Sequence, residues 1–273
     1  SAGNIHVTWD DGWQNVYYRK FDPFGNVLTE RVHVGNEDNT ASHNPAIAVD
    51  PVNDNVHIVH EDYQYQCEDI VYNKIVDAKM VVNAVAVSSD VSSHCELSTL
   101  TADDHGLIHV AFGTTLGAMW RRVDQNGVAR GHSVNVFPRP YGVPDMAVTP
   151  DGDVHMVWTT EERVMYTRIA SNGTVLDEGV PISLPGPHVG ASRIAAAHGS
   201  NTVYVVWSEY RNGTWEVRFA EMGEGQHGTM PENHRLTDVD AVPSNPQVTV
   251  DPEDEVHVVW EDRRDGNAEV YYK

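Results

Sequence analysis

Apolar positions in this chain gather in short runs, and one run returns six times. It reads IHVTWDD from Ile5, VHIVHED from Val56, IHVAFGT from Ile108, VHMVWTT from Val154, VYVVWSE from Val203 and VHVVWED from Val256. The spacing is roughly fifty residues, a period that belongs to repeat architectures. An apolar stretch precedes each copy but the first (NPAIAVD, PDMAVTP, NPQVTVD), and a second follows (VYYRKFD, IVYNKIV, EVYYK). A more polar fourth run such as VLTERVHV or MVVNAVAV completes the unit. The runs are rich in Val, Ile, Tyr and Trp and bounded by Gly, Asp, Asn and Pro, so they predict strands. The recurrent run is apolar on both sides (Val256, Val258 and Trp260 against Val259), as in a strand buried on both faces.

Four strands per repeat, A to D, joined by short turns, make an antiparallel meander. Repeated radially, each small sheet buries its faces against its neighbours. The predicted fold is all-β: a β-propeller of six blades, each a four-stranded antiparallel sheet, with both end blades incomplete. The first repeat starts at strand B and the last stops at strand C. Residues 1–273 are read as a single propeller domain; either its two end blades have three strands each, or it is a segment of a longer repeat protein, the reading favoured because an edge left open at strand C is sticky.

Charge narrows the partners. Asp and Glu number 40 against 18 Lys and Arg, a formal net charge of -22. Such a surface repels phosphate backbones and anionic lipid, which argues against nucleic acid and membrane insertion. No apolar run is long enough to span a bilayer. Lysine stands only at positions 20, 74, 79 and 273. An acid-rich, Lys-poor surface suits concentrated salt, where ions screen self-repulsion, so a halophilic source is one expectation and an ordinary acidic secreted protein the alternative. The two cysteines, Cys67 and Cys95, fit no zinc spacing. Both fall at the same rim of the second blade, which makes a disulfide and an oxidising compartment compatible with the topology; two free thiols are the alternative.

In a meander the B–C and D–A connections share one rim, and the A–B and C–D turns share the other. The second set reads as tight Asp/Pro/Gly turns (DPVND, TPDGD, DPEDE), the first as longer and irregular (35–44, 63–69, 88–97, 137–144, 184–192, 237–245). Long loops on a rigid scaffold are where binding resides, so the B–C/D–A rim is the expected functional face. The recurring His6, His57, His109, His155 and His257 occupy one repeat position and read as packing or hydrogen-bonding elements; the recurring Trp9, Trp158, Trp207 and Trp260 read as inter-blade core. Departures from the repeat are more informative. His60 replaces a Trp and is followed by Glu61 and Asp62. His43, His94 and His188 lie in D–A connections, and Tyr141 lies beside Arg139 in another.

From these come the candidates. For catalysis they are His60, Tyr141, Arg139 and His188, which suit proton abstraction beside a uronate carboxylate. For ligand binding they are His43, His94, Trp13, Tyr63, Tyr210, Glu209 and Glu261, with Tyr65 and Trp215 as further aromatics that stack on sugars. For metal they are Asp10, Glu61 and Asp62. No fixed ligand spacing supports a transition metal; calcium, held by carboxylates and loop carbonyls, is the cation easiest to reconcile with the charge. Asn172-Gly-Thr and Asn212-Gly-Thr match glycosylation sequons, but Asn-Gly is preferred here as a turn pair.

The repeats resemble those of sialidase-like (BNR/Asp-box-type) β-propellers of secreted and cell-surface proteins, in which NPxIAVDxxGNVHVVWxDxRxGNxEVYY phrases recur. Asn245-Pro246 through Asp251, Val256 to Asp262, Arg263, and Gly266 to Tyr272 carry the match, and the resemblance covers the whole chain. It implies a propeller fold and an extracellular or cell-surface location. Active sialidases use an arginine cluster, a Tyr–Glu nucleophile pair and an Asp acid/base. Here the equivalent inner positions read Arg193, Ala46, Thr99, Asp145 and Gln247. The Asp-box survives as FDPFGNVL, VDQNGVA and ASNGTVL, each without its Trp. The expected function is a binding module that recognises carbohydrate or protein through the B–C/D–A rim. The alternatives are a polysaccharide-degrading enzyme, lyase or sialidase-like glycosidase, and a structural module of a larger surface protein.

Overall fold

The computed structural model describes all residues except 1, 2, 13, 36–40, 51, 52, 65, 66, 92, 93, 116, 138–143, 227, 228, 239 and 240; for 64, 67, 68, 96 and 137 it describes the backbone alone. Two compact units, Ser1–Arg139 and Pro140–Lys273, each hold three antiparallel sheets. In the first unit, sheet one is β1 (Ile5–Asp10), β2 (Val16–Phe21) and β3 (Val32–Val34). Sheet two is β4 (Ser42–Val49), β5 (Val56–Gln64), β6 (Cys67–Val76) and β7 (Lys79–Ala86). Sheet three is β8 (Cys95–Ala102), β9 (Ile108–Thr114), β10 (Gly117–Val123) and β11 (Val134–Phe137). In the second unit, sheet four is β12 (Asp145–Val148), β13 (Val154–Thr159), β14 (Val164–Ile169) and β15 (Val175–Pro181). Sheet five is β16 (His188–Ala196), β17 (Val203–Arg211), β18 (Thr214–Met222) and β19 (Asn233–Arg235). Sheet six is β20 (Pro243–Val250), β21 (Val256–Asp262) and β22 (Glu269–Tyr272). Strands follow chain order within every sheet, so each is a meander; sheet one has the predicted B, C and D strands and sheet six A, B and C.

The two-sided apolar pattern now has its cause. In β5, Ile58 packs with Val16, Tyr18 and Val34 of sheet one, while Val59 packs with Val110 and Phe112 of sheet three. In β17, Val205 and Trp207 join Val157 and Tyr166 of sheet four, while Val206 joins Val258 and Trp260 of sheet six. A B strand at the centre of its sheet faces a neighbour on either side, so no position of its middle can be polar without a partner.

The recurring histidine has that partner. His6 Nδ1 bonds the Tyr18 hydroxyl at 2.9 Å, and His57 bonds Tyr72 at 2.6 Å. His155 bonds Tyr166 and His257 bonds Tyr272, both at 2.7 Å. In sheet three His109 stacks on Trp120, and in sheet five Tyr204 stacks on Phe219. On its far nitrogen, His109 meets Asp103, and His257 meets Asp251, at the preceding A–B turn. At His109 and His257 the side chain thus ties strand C to the turn before strand B, and at His6, His57 and His155 it ties strand B to strand C, in keeping with the expected structural role.

Four of the described turns follow one device. Asp103 Oδ1 accepts the amides of His105 and Leu107, Asp251 those of Glu253 and Glu255, Asp22 those of Phe24 and Asn26, and Asp124 those of Asn126 and Val128. The same aspartate turn closes A–B and C–D hairpins. The C–D set is not uniformly tight, contrary to the sequence reading. After the aspartate turn the chain makes one isolated bridge, Phe21 to Val27 or Val123 to Ala129, before reaching strand D. The B–C set is in turn shorter than expected. β5 and β6 extend as a hairpin to Gln64 and Cys67, so 63–69 is mostly strand. Asn212 (φ 52°) and Gly213 (φ 90°) form the two-residue turn between β17 and β18, as an Asn-Gly pair should.

Candidate functional site

Among the described residues, each A strand but that of sheet four enters its sheet through a bulge. The register shifts between His43 and Ala46, between Glu96 and Thr99, between Val189 and Ser192, and between Ser244 and Gln247. At three of them a left-handed residue makes the shift: Asn44 (φ 50°), Leu97 (φ 53°) and Asn245 (φ 50°). A bulge interrupts the ladder and turns a backbone amide toward the preceding sheet.

The B strands of sheets one and two meet that amide with a carboxylate. Asp10 Oδ2 accepts Asn44 N at 3.3 Å, and Glu61 Oε1 accepts Leu97 N at 2.6 Å. Glu61, 2% exposed, also accepts Asn44 Nδ2 at 3.0 Å and pairs with His43 Nε2 at 2.9 Å. Two candidates therefore serve as seals between consecutive sheets, Asp10 and Glu61, and His43 supports Glu61 from within sheet two. His60 and Asp62 alternate with Glu61 and lie on the opposite face of β5, so Asp10, Glu61 and Asp62 do not gather into a calcium cage. His60 is fully buried; its Nδ1 meets the Glu61 carbonyl at 3.1 Å, and its Nε2 has no partner among the described residues. Burial, helped by the nearby His33 and His43, drives its pKa down to about 4. Gly35 (φ 101°) lies so close that a Cβ there would be 3.0 Å from the His60 ring, so glycine suits that position.

The carboxylate two residues after the Trp has a different duty. Trp207 Nε1 donates to Glu209 at 3.0 Å, and Trp260 Nε1 to Asp262 at 3.3 Å. Arg211 closes on Glu209 at 2.6 Å and Arg264 on Asp262 at 2.6 Å. Burial alone would raise the Asp262 carboxyl, but Arg264 and backbone amides outweigh it and hold the pKa below its ordinary value. In sheet five Arg218 spans Glu209 (3.2 Å) and Glu216 (2.6 Å), and Arg235 reaches Glu216 at 3.1 Å. Both glutamates are 2% exposed. This five-residue network caps the apolar seam between sheets four and five, and it consumes Glu209. Its arginines come from three strands, so no local motif announced it.

Sheets five and six differ from the sealed pairs. At the repeat position of Asp10 and Glu61, sheet five carries Ser208. A cleft of ≈ 480 Å³ opens beside it, toward the bulge of β20, lined among others by Trp215, Pro243, Ser244, Asn245, Glu261 and Arg263. Gly190, also in the lining, is required: a Cβ there would collide with the Ser208 hydroxyl. Trp215 stands edge-on to Tyr210, ring centroids 5.9 Å apart, and Tyr210 in turn neighbours His188 at 6.4 Å. The structure thus brings Glu261, Tyr210 and His188 together around Trp215. It places His94 and Tyr63 exposed elsewhere. Trp13, Tyr65, Arg139 and Tyr141 lie outside the described residues, as does the Cys67 side chain; Cys95 is buried. The residue after the recurrent Trp position reads Asp10, Glu61, Gly113, Thr159, Ser208 and Glu261 along the repeats, so a short residue there is a necessary sign of the cleft but does not single out sheet five.

Asp251, Glu255 and His257 are the one group of three metal-type ligands gathered among the described residues. Asp251 there already accepts two turn amides and His257, and His257 is tied to Tyr272, so these bonds account for the cluster. No described helix is long and apolar enough to cross a membrane.

Six meander sheets with apolar seams define a β-propeller, and solved structures agree. The chain is similar to the intramolecular trans-sialidase from Ruminococcus gnavus, determined with oseltamivir carboxylate, at TM-score 0.66 and 8% identity, covering 100% of this chain and 92% of that one. It is similar to the leech intramolecular trans-sialidase complexed with 2,7-anhydro-Neu5Ac, at TM-score 0.66 and 9% identity, covering 100% and 66%. An endo-arabinase from Bacteroides thetaiotaomicron follows at TM-score 0.51 and 10% identity, covering 99% and 89%. No family profile and no curated protein sequence matches the chain. At these identities the likeness establishes the sialidase-like propeller fold.

Proposed function

We propose that the chain is a glycan-binding propeller module of an extracellular or surface-displayed protein, with its ligand in the cleft between sheets five and six. The observation that carries this reading is the opening at Ser208, where a tryptophan, a carboxylate, a guanidinium and small polar groups converge on one concave space. A few placed polar groups around an aromatic wall are what orient and hold a small ligand. The fold likeness to proteins named trans-sialidase and endo-arabinase supports carbohydrate as the ligand class.

Polysaccharide cleavage is the second reading, drawn from those same names. Glycoside hydrolysis employs two carboxyl groups flanking the scissile bond. The cleft lining holds one, Glu261, itself tied to Arg263, which favours binding over turnover. A glycan array followed by titration tests the proposal. Wild type binds; Trp215→Ala weakens binding about tenfold, the ~1.4 kcal/mol of a lost anchor. Ser208→Glu, which installs the sealing side chain of sheet two, abolishes binding in a folded protein. Release of reducing ends or of ultraviolet-absorbing unsaturated products would move the assignment to the enzyme.

A further inference from the structure

We infer that this cleft selects uncharged sugar rings and turns away carboxylated ones, an inference that rests on the glycan-binding reading above. Arg263 is the cation of the lining, and Glu261 Oε1 accepts from both its Nε and its Nη2 at 3.1 Å. Those two donors form the fork that grips a carboxylate side-on. With the fork engaged, the pair is neutral, and a uronate or sialate entering the cleft meets the Glu261 carboxylate beside it. Like charges brought together at a binding surface cost affinity, and the chain's net charge of -22 adds long-range repulsion.

The other arginines of sheet five give no relief. Arg211, Arg218 and Arg235 are bound to Glu209 and Glu216 on the opposite face of that sheet. What remains facing the cleft is neutral: the hydroxyls of Ser208 and Ser244, the Asn245 amide, and an apolar wall of Trp215, Val242 and Pro243. Hydroxyls and an amide match sugar hydroxyls, which both donate and accept, and the indole offers a ring face for stacking. Glu261 therefore acts as the specificity-determining residue, by occupying the Nε and Nη2 donors of the half-exposed Arg263 pair before a ligand can.

Titration of the protein with neutral gluco-, xylo- and arabino-oligosaccharides, against uronate- and sialate-containing ones of equal length, tests this. Neutral sugars bind, and acidic ones bind about tenfold more weakly or less. Glu261→Gln frees the Arg263 fork and narrows the ratio of neutral to acidic affinity, read within the variant itself whatever its absolute affinity for neutral sugars, with a circular-dichroism melt to show that the variant is folded. Should Glu261→Gln not fold, Arg263→Gln reads the same quantity in reverse, leaving Glu261 unneutralised and widening the gap. Equal or tighter binding of acidic sugars by wild type overturns the inference and leaves the cleft as the site, as does a gap that neither variant moves. Binding of no sugar, or neutral binding indifferent to Trp215→Ala, overturns the glycan reading and the inference with it.

Discussion

The tie between histidine and tyrosine recurs in two very different settings, which allows its worth to be measured. Tyr72 and His57 are both fully buried, and the Tyr72 hydroxyl also donates to the Gln125 carbonyl at 3.3 Å. Tyr272, which makes the equivalent bond to His257, is 66% exposed. Tyr72→Phe removes one oxygen and leaves the His57 ring and a carbonyl to lose their partner in the interior. The cost of stripping such groups is about 1–3 kcal/mol. Tyr272→Phe removes the same oxygen where water takes its place, so the change stays within about 0.5 kcal/mol. Phenylalanine keeps the stacked ring in both sites, so packing contributes little to either value. Urea unfolding of the two variants at pH 8, followed by fluorescence and by far-ultraviolet circular dichroism, compares their midpoints; coincidence of the two probes justifies two-state treatment. Equal losses in both variants, or no loss in Tyr72→Phe, would refute the view that the tie matters through burial.

The remaining tests are shorter. His57 and His60 both have pKa values pushed down to about 4, chiefly by burial. The unfolded chain therefore binds more protons between about pH 6.5 and 4, and stability present above that window falls as pH drops through it, by roughly 3 kcal/mol per histidine at most. A melt series from pH 7 to 4 should show this acid limb, and His60→Leu should flatten part of it; an unchanged slope would contradict the assignment. Glu61→Ala leaves His43 and the Leu97 amide without their buried acceptor and should cost about 3–5 kcal/mol, whereas a loss under about 1 kcal/mol in denaturant would show that the seal is replaceable.

Much of the fold was legible because it is repeated. The B strand declares itself through a two-sided apolar run, and five histidines at one position could only be scaffold. The register at either end, B through D in sheet one and A through C in sheet six, was readable for the same reason. The site was less legible because its chemistry depends on distances between sheets. Glu61, Asp10 and Glu209 look like free carboxylates on paper; the bulge amides and the Arg211–Arg218–Arg235 network that occupy them come from neighbouring strands or the next sheet. Ser208, in contrast, looks like nothing. Its importance lies in what it fails to reach. Loop lengths misled as well, since aspartate turns of identical geometry close short A–B hairpins and long C–D excursions alike.

One repeat position therefore behaves as a shutter whose setting is side-chain reach. Asp10 and Glu61 latch onto the bulge amide of the following sheet, and Ser208 is too short to do so where the cleft opens. The change from one state to the other takes a single codon and leaves the strands undisturbed. Such a scaffold can gain, lose or relocate a berth from blade to blade without being refolded, and trimming Glu61 in a stabilised background would be a direct way to open a second one.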